Sequence, residues 1–221
     1  MRRLVPLCLV AIVLLPAAAS AATRVEMMVV GRTSTLLSAR TVSLAKARVR
    51  AGHRSCTVPA GTALSGLLAA RLPLGVSDVA GCDPASMFVR RIRGDANQGA
   101  GGWEYKVGHS DPSAGAADPV GRLRTGQRLL WYWCVRAGAC QRTLDLGFRF
   151  HHGVAEVTVR GYDDTGHGRL VPGATVHFGT QSLSTNSSGY VDVPSAPGRY
   201  LVYATKAGMV QSFPIEVGVT P

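Results

Sequence analysis

One segment of the chain, residues 128–135, constrains the fold most because it is apolar on both of its alternating faces. After Arg128 it reads Leu129-Leu130-Trp131-Tyr132-Trp133-Cys134-Val135. Successive side chains of a strand point to opposite sides of a sheet, so a strand with one buried face is apolar only at every second position. We therefore expect this segment to run through the middle of a sheet.

The region around this strand, residues 23–147, is predicted to form a small α+β domain with a mixed sheet and one short helix. The helix is expected after Thr62, a suitable N-cap, because the leucines that follow have helical spacing. Residues 32–39 are mostly small or polar and are predicted to be a loop or linker. Further strands are predicted at 24–30, 41–50, 87–93 and 103–107.

The remainder, residues 148–221, is predicted to be an Ig-like β-sandwich, so the fold class of the whole chain is mostly β. Short alternating segments separated by Gly, Pro and Asn are typical of such sandwiches. The pair His151-His152 precedes Gly153 and is interpreted as a hinge between the two domains rather than as a metal site. Strands are expected at 154–162, 171–178, 190–193, 199–206 and 212–219.

The N-terminus, residues 1–21, has the three parts of a secretory signal peptide in order. Met1-Arg2-Arg3 is followed by an apolar run over 4–15 and a stretch of small residues with Ala19-x-Ala21 at the expected cleavage site. The apolar run is shorter than the roughly 20 residues that a membrane-spanning helix needs. We expect a secreted or surface-associated protein without stable membrane insertion. Leu7 disfavours lipidation of Cys8, because a small residue is expected there.

Cysteine usage agrees with export. Once the signal peptide is removed, four cysteines remain, an even number, which indicates two disulfides in an exported protein. Three connectivities are open, and the one favoured pairs neighbours along the chain. A zinc site is the weaker alternative, since no C-x-x-C spacing occurs and His53 alone lies near a cysteine. The four residues are Cys56, Cys82, Cys134 and Cys140.

The charge of the chain indicates an anionic partner. Removing Arg2 and Arg3 lowers the formal net charge from +11 to +9, and nearly all of the positive charge is arginine. A basic exported protein is attracted to anionic cell-envelope polymers, and a surface protein is a second candidate partner. Nucleic acid is not expected, because of the location and because the basic residues are dispersed along the sequence without an aromatic-plus-basic stripe.

The sequence predicts neither an enzyme nor a cofactor or metal site. Ser65 lacks the glycine of a nucleophile elbow, and the cysteines are expected to be oxidised. Asp163-Asp164 with Gly166 fits a calcium loop, but these residues are also ordinary turn formers. The function class expected from the residues is therefore a non-enzymatic binding or structural protein of the cell envelope or extracellular space.

Part of the first domain resembles a known family. Gly102-Trp103-Glu104-Tyr105-Lys106-Val107, a loop with Gly115-Ala116, and Gly126 before the strand ending Trp131-Tyr132-Trp133 resemble the transcobalamin-like C-terminal domain family. In bacteria this is largely a domain of unknown function on exported proteins. The resemblance covers residues 56–133. Gly108-His109 departs from the family, which usually has Asn-Gly there.

This resemblance implies an alternative function. In animal vitamin B12 carriers the related domain closes over cobalamin, so the alternative is a carrier of a small flat ligand such as a corrinoid. The candidate ligand face consists of four aromatic residues, and the competing interpretation is that they form the core. These residues are Trp103, Tyr105, Trp131 and Trp133.

The second domain also resembles known modules. Pro172-Gly173-Ala174-Thr175-Val176, Thr185-x-x-x-Gly189 and Gly198-x-Tyr200-x-Val202-x-Ala204 resemble carboxypeptidase-regulatory-like and bacterial Ig-like modules. Such modules serve as spacers or adhesive units. The resemblance covers residues 153–219 and speaks to the fold more than to the function.

Overall fold

The first sheet of the N-terminal part is built around the strand that is apolar on both faces. A computed structural model describes residues 22–151, 154–194 and 196–220. The N-terminal unit consists of β1 (Arg24–Val30), β2 (Thr35–Ser43), β3 (Ala47–Ala51), β4 (Arg54–Val58), α1 (Ala63–Ala69), β5 (Leu74–Asp78), β6 (Met87–Ile92), β7 (Asp95–Ala96), β8 (Gly102–Val107) and β9 (Arg128–Cys134). Its first sheet has the order β2-β1-β9-β8, with β9 parallel to β1 and antiparallel to β8.

A second sheet of five strands, in the order β4-β3-β5-β6-β7, completes this unit. Helix α1 begins after Thr62, whose side chain accepts a hydrogen bond from the backbone N–H of Ser65, as expected of an N-cap. The inner residues of both sheets and the leucines of α1 form one hydrophobic core. The other side of the five-stranded sheet carries the exposed side chains of its strands, and the candidate functional site lies on this side.

The C-terminal unit is a β-sandwich. Its strands are β10 (Thr143–His151), β11 (Val154–Tyr162), β12 (Gly168–Leu170), β13 (Thr175–Phe178), β14 (Gln181–Ser184), β15 (Tyr190–Pro194), β16 (Gly198–Thr205) and β17 (Ile215–Val219). In one sheet β11 pairs with β10, β12 and β15, and the other has the order β14-β13-β16-β17. Buried residues of both sheets, among them Val157, Phe178 and Val202, form a single core.

Strand β9 is apolar on both faces because each face is covered by a different unit. Leu129, Trp131 and Trp133 lie in the core of the N-terminal unit. Leu130 and Tyr132 lie on the other face, in a separate cluster with Val210 and Phe213 of the C-terminal unit. The prediction that this segment lies inside a sheet is correct, and the second apolar face is the contact between the two units.

Both predicted disulfides form. Cys56 pairs with Cys82 and Cys134 with Cys140, the connectivity that links neighbours along the chain. The first bond ties β4 to the loop after β5, and the second closes a short loop directly after β9. The zinc alternative is excluded for these cysteines, because their sulfur atoms are bonded to each other.

Several sequence-based predictions of local structure need correction. The strand expected at 41–50 is interrupted at residues 44–46, which separate the end of β2 from β3. Strand β2 begins at Thr35, inside the segment that was expected to be a loop. Strand β10 begins at Thr143 and pairs with β11 as far as His151, so the sandwich begins before residue 148. His151 lies opposite Val154 in this hairpin and is not a hinge between the units. His152, the second histidine of the predicted hinge, lies outside the described residues, and so does Gly153.

The predicted signal peptide at 1–21, with Cys8, lies outside the described residues. Within the part of the chain that the structure describes, no helix has the length and hydrophobicity needed to cross a membrane. The two disulfides fit an oxidising compartment.

Candidate functional site

The outer side of the five-stranded sheet is an open surface that is rich in arginine. In β3 the buried Val49 and Ala51 alternate with the exposed Arg48 and Arg50. This is the period of two that a strand with one covered face requires. Both arginines therefore project away from the core, on the side that faces solvent.

Strand β6 adds two more arginines to the same sheet. Its pairing with β5 has an irregularity between Gly75 and Val76, where Gly75 lies opposite Arg91 and Val76 lies opposite Val89. Arg90 is the extra residue at this bulge. Bulges bend a strand and redirect side chains, so Arg90 and Arg91 are both exposed and border one surface cavity.

The strand register brings the arginines of β3 and β6 level with each other. Ala51 lies opposite Val76 in the parallel pair of β3 and β5, which puts Arg50 level with Gly75. Gly75 in turn lies opposite Arg91. Arg50, Gly75 and Arg91 form one row across the sheet, and Arg48 lies two residues further along β3. We call Arg48, Arg50, Arg90 and Arg91 the arginine face.

The charge of the arginine face is not neutralised within the protein. Among the described residues, no carboxylate lies within ion-pairing distance of these four guanidinium groups. The surrounding sequence, residues 46–93, contains eight Lys or Arg but two Asp. Arg50 donates one long hydrogen bond, 3.4 Å from its Nε to the carbonyl oxygen of Gly52. The face therefore has a positive potential that attracts anions.

The acidic residue at the end of β5, Asp78, is used by its own loop. Its carboxylate accepts hydrogen bonds from the backbone N–H of Cys82 at 2.6 Å, from that of Ala80 at 3.1 Å, and from the hydroxyl of Ser86 at 3.0 Å. The bond from Cys82, above all, holds the pKa of Asp78 below its ordinary value. Asp78 is thus a structural residue at the end of β5, and it leaves the charge of the arginine face unpaired.

The basic surface continues past β4. Ser55 and Thr57 lie opposite Arg50 and Arg48, and they border a cavity of about 650 Å³ whose rim also carries Lys46 and Arg122. None of the described residues that line this cavity is acidic. We call the arginine face and the cavity together the cationic track.

The four aromatic residues of the candidate ligand face lie in the core. Each is less than a tenth exposed, and the rings pack in pairs, with Trp103 against Trp133 at 5.8 Å and Tyr105 against Trp131 at 5.1 Å between centroids. Three of them border a cavity of about 420 Å³. Their arrangement follows from the adjacent strands β8 and β9, and neighbouring residues cover most of each ring.

A groove of about 620 Å³ between the two units is a further concavity. Its two cations are already engaged. Arg32 donates to Gln98 at 2.9 Å and lies 5.1 Å from the ring of Trp133, whereas Lys206 donates to the carbonyl oxygen of Pro172. These contacts make the groove a weaker candidate for an anionic ligand than the arginine face.

A buried lysine joins the two units. Lys106, on β8, is fully buried, and its Nζ donates to the carbonyl oxygens of Tyr162 at 3.1 Å and Asp163 at 2.9 Å. It also lies 3.3 Å from the carboxylate of Asp164, which accepts a hydrogen bond from Tyr132 at 3.1 Å. Burial lowers the pKa of Lys106, and Asp164 opposes this shift. We call these contacts the Lys106 network.

The predicted calcium alternative is not favoured by the geometry of its loop. Asp163 accepts hydrogen bonds from Thr165 and from the backbone N–H of His167, and it forms an ion pair with Arg142 at 3.2 Å. These contacts, chiefly the bond from Thr165, lower the pKa of Asp163 to about 2. Its oxygens are thus occupied by protein donors, and Asp164 is engaged by Lys106.

The arginine face was missed by reasoning from the sequence, which treated the basic residues as dispersed. They lie on two strands separated by more than thirty positions, and the fold brings them together through β5. One signal was present: Arg48-Val49-Arg50-Ala51 alternates charge and small apolar residues with the period of a half-exposed strand.

The search for similar proteins found no match among family models, curated proteins or solved structures.

Proposed function

We propose that the chain is an exported, non-enzymatic binding protein that uses its arginine face to hold an anionic polymer of the cell envelope or extracellular space. One observation carries this proposal: four guanidinium groups on one open sheet face have no carboxylate partner among the described residues. Arginine is suited to such a role because its charge is permanent and its planar group donates several hydrogen bonds.

The shape of the surface favours a polymer over a small molecule. The arginine face is an exposed sheet surface, and it continues into the cavity with Lys46 and Arg122. Enclosed apolar pockets are typical of small-molecule sites. A long ligand gains from many weak contacts along such a track, and its release of counterions makes binding dependent on salt.

The rest of the chain has supporting roles in this proposal. The two disulfides stabilise the protein in an oxidising space. The sandwich acts as a spacer or adhesive unit, as the resemblance to Ig-like modules implies. Asp164 bonds to both Lys106 and Tyr132, and these contacts hold the two units together. The proposal gives these ionisable groups a structural role and no catalytic one.

The carrier of a flat ligand is the second hypothesis, and it has less support. The four aromatic side chains on which it depends are packed into the core beneath neighbouring residues. Binding a flat ligand between the rings would require the ring pairs to separate. Unchanged Trp fluorescence in the presence of excess cobalamin is the result we expect.

The proposal is tested with the mature protein and fluorescently labelled polyphosphate, alginate and polyglutamate. The variant Arg48→Ser/Arg50→Ser/Arg91→Ser is expected to bind the preferred polymer at least about tenfold more weakly than the wild type, because three charge contacts are lost. The measurement is fluorescence anisotropy at low ionic strength. All three positions are exposed, so the melting temperature should stay close to that of the wild type.

The matched control is Arg149→Ser/Arg160→Ser/Arg169→Ser, which removes the same charge from exposed positions of the sandwich. It is expected to change the affinity by less than about twofold. Equal weakening by both triple variants would show that net charge alone attracts the polymer. No binding of any of the three polymers by the wild type would also contradict the proposal.

A further inference from the structure

Strand β8 is the outermost strand of the first sheet, so one of its edges has no neighbouring strand in that sheet. In an antiparallel pair, every second residue bonds to the partner strand, and the backbone groups of the others point away from it. The N–H of Gly108 donates to the carbonyl oxygen of Arg128 at 2.9 Å and continues the register of β8 with β9. The even-numbered residues of β8 therefore bond to β9, whereas the backbone groups of Trp103, Tyr105 and Val107 point to the free edge.

Both ends of this free edge are already occupied. The N–H of Trp103 donates to the side-chain oxygen of Asn97 at 3.3 Å, and the N–H of Val107 donates to the carbonyl oxygen of Ser110 at 3.0 Å. Between them, the N–H and C=O of Tyr105 and the C=O of Trp103 have no hydrogen-bond partner among the described residues. Tyr105 is only 6% exposed. Buried backbone groups are nearly always paired, so a bound molecule or water is expected to bond to these three groups.

The cavity of about 420 Å³ opens along this edge, where it is bordered by the unbroken run 102–105 of β8. Side chains of a strand alternate between its two faces, so a cavity on the face of Tyr105 alone would not touch Glu104. Contact with every residue of the run places the cavity against the backbone. The opposite wall is the run 87–89 of β6, which also includes the outward-facing Phe88. We call this cavity between two strand edges the β8 slot.

The free backbone groups match an extended peptide, which pairs with a strand edge through its own N–H and C=O groups. In antiparallel pairing, one ligand residue exchanges two hydrogen bonds with Tyr105. The N–H of the ligand residue two positions further along donates to the carbonyl oxygen of Trp103. A segment of three residues is therefore the shortest that uses all three groups, and the bond from Trp103 to Asn97 prevents full pairing beyond this point.

The walls of the slot limit the side chains of such a peptide. Its first and third residues point to the same side of the sheet as Tyr105 and Trp103. On that side the slot is bordered by Met87, Ala116 and Trp131, which are buried and apolar. A charged side chain is disfavoured there, because it would lose its hydration. The volume is near the small end of the range of ligand sites, which favours small side chains.

We propose that the β8 slot binds a short extended peptide with small apolar side chains at its first and third positions. The peptide adds three residues of strand to β8 and bonds to the backbone groups of Trp103 and Tyr105 that lack a partner. This inference goes beyond the proposed function, because none of the arginines of the arginine face lines the slot.

The test is an NMR titration of the isotope-labelled mature protein with N-acetyl-trialanine amide. A concentration of about 10 mM is sufficient, since a few weak contacts predict a dissociation constant on the order of 1 mM. We expect the amide signal of Tyr105 to shift. At about 90% saturation its hydrogen exchange should slow about tenfold, because the free fraction alone exchanges. Glu104, which is paired with β9, should retain its exchange rate.

The ligand control is the same peptide with methyl groups on its first and third amide nitrogens. These methyl groups remove the donors to the carbonyl oxygens of Tyr105 and Trp103. The methylated peptide is expected to bind at least about tenfold more weakly, because these hydrogen bonds are lost. This comparison uses the wild-type protein, so it does not depend on the folding of a variant.

A matched pair of variants tests the position of the site. Ala137 is exposed and lines the slot, so Ala137→Leu narrows its opening. Ala139 is exposed in the same loop but does not line the slot, and Ala139→Leu is the control. We expect the first variant to weaken peptide binding at least about fivefold and the second to change it less than about twofold.

The outcomes separate this inference from the proposed function. An unchanged amide signal of Tyr105 would show that water alone occupies the slot and would overturn the inference. Equal affinity for the methylated peptide would contradict backbone pairing, and equal affinities of the two leucine variants would place the peptide elsewhere. The arginine-face variant should bind the peptide like the wild type, and Ala137→Leu should bind the anionic polymer like the wild type.

Discussion

Replacing Asp164 with alanine is expected to lower the free energy of unfolding by about 3 kcal/mol. The change leaves Lys106 buried without its counter-charge and removes the acceptor of the Tyr132 hydroxyl. Breaking a buried ion pair by removing one partner costs roughly 3–5 kcal/mol. We expect the lower end of that range, because the Asp164 side chain is 30% exposed. Urea unfolding followed by tryptophan fluorescence measures the loss.

The loss of unfolding free energy in Asp164→Ala, which we call its deficit relative to the wild type, should depend on pH. Burial holds the pKa of Lys106 below its ordinary value of 10.5, and Asp164 raises it. Without Asp164 the pKa of the folded state falls further. The unfolded chain then binds more protons than the folded chain over a wider pH range, so stability rises with pH there. The deficit is expected to be larger at about pH 7 than at about pH 9.5.

A double variant provides the control for this prediction. Lys106→Met/Asp164→Asn removes both charges, and we expect it to be more stable than Asp164→Ala, because no charge is left buried alone. The rise of stability with pH that the buried lysine causes should be absent from this variant. A loss below about 1 kcal/mol for Asp164→Ala, or a deficit that grows as pH rises, would contradict this description of the Lys106 network.

Removing the Cys56–Cys82 disulfide is expected to cost about 3.5 kcal/mol of unfolding free energy. The bond links residues 26 positions apart, whereas Cys134–Cys140 links residues 6 apart. Closing a longer loop restricts the unfolded chain more, so loop-closure entropy predicts about 2 kcal/mol for the shorter one. The variants are Cys56→Ala/Cys82→Ala and Cys134→Ala/Cys140→Ala.

The two disulfide variants are well matched. Each removes one fully buried sulfur, that of Cys56 or of Cys134, together with a partly exposed one. The loss of packing is therefore similar, and the difference in stability reports on loop length. Urea unfolding of both variants without reductant gives the comparison. A greater loss for the short loop than for the long one would contradict the entropic explanation.

The sequence alone was sufficient for those parts of the fold that depend on local pattern. Strand β1 and the N-cap at Thr62 were predicted from residue types and spacing, and the structure has both. The two apolar faces of β9 correctly indicated an internal strand. The even number of cysteines predicted two disulfides, which are also present.

What could not be predicted depends on contacts between distant residues. Strand β2 is polar enough to look like a loop, and its pairing with β1 gives it its structure. Lys106 lies on the polar side of an alternating strand, where exposure to solvent is the ordinary expectation. Its burial results from the C-terminal unit, which covers that side with Thr143, Tyr162 and Asp163.

The arginine face is also a feature that could not be predicted from the sequence, because it depends on contacts between distant residues. Arg48 and Arg50 are far in sequence from Arg90 and Arg91, and β5 lies between them in the sheet. The register of β3 with β5, and the bulge between β5 and β6, place these side chains together. Composition showed an excess of positive charge, but the position of that charge is a property of the fold.

The salt dependence of polymer binding tests the central claim most directly. On a flexible single-stranded polyanion, each charge contact contributes about 0.7 to the size of the slope when the logarithm of the binding constant is plotted against the logarithm of the salt concentration. Removing Arg48, Arg50 and Arg91 is therefore expected to reduce the slope by about 2. The sandwich control should have the slope of the wild type. Equal slopes for the wild type and the arginine-face variant would show that the polymer is bound elsewhere.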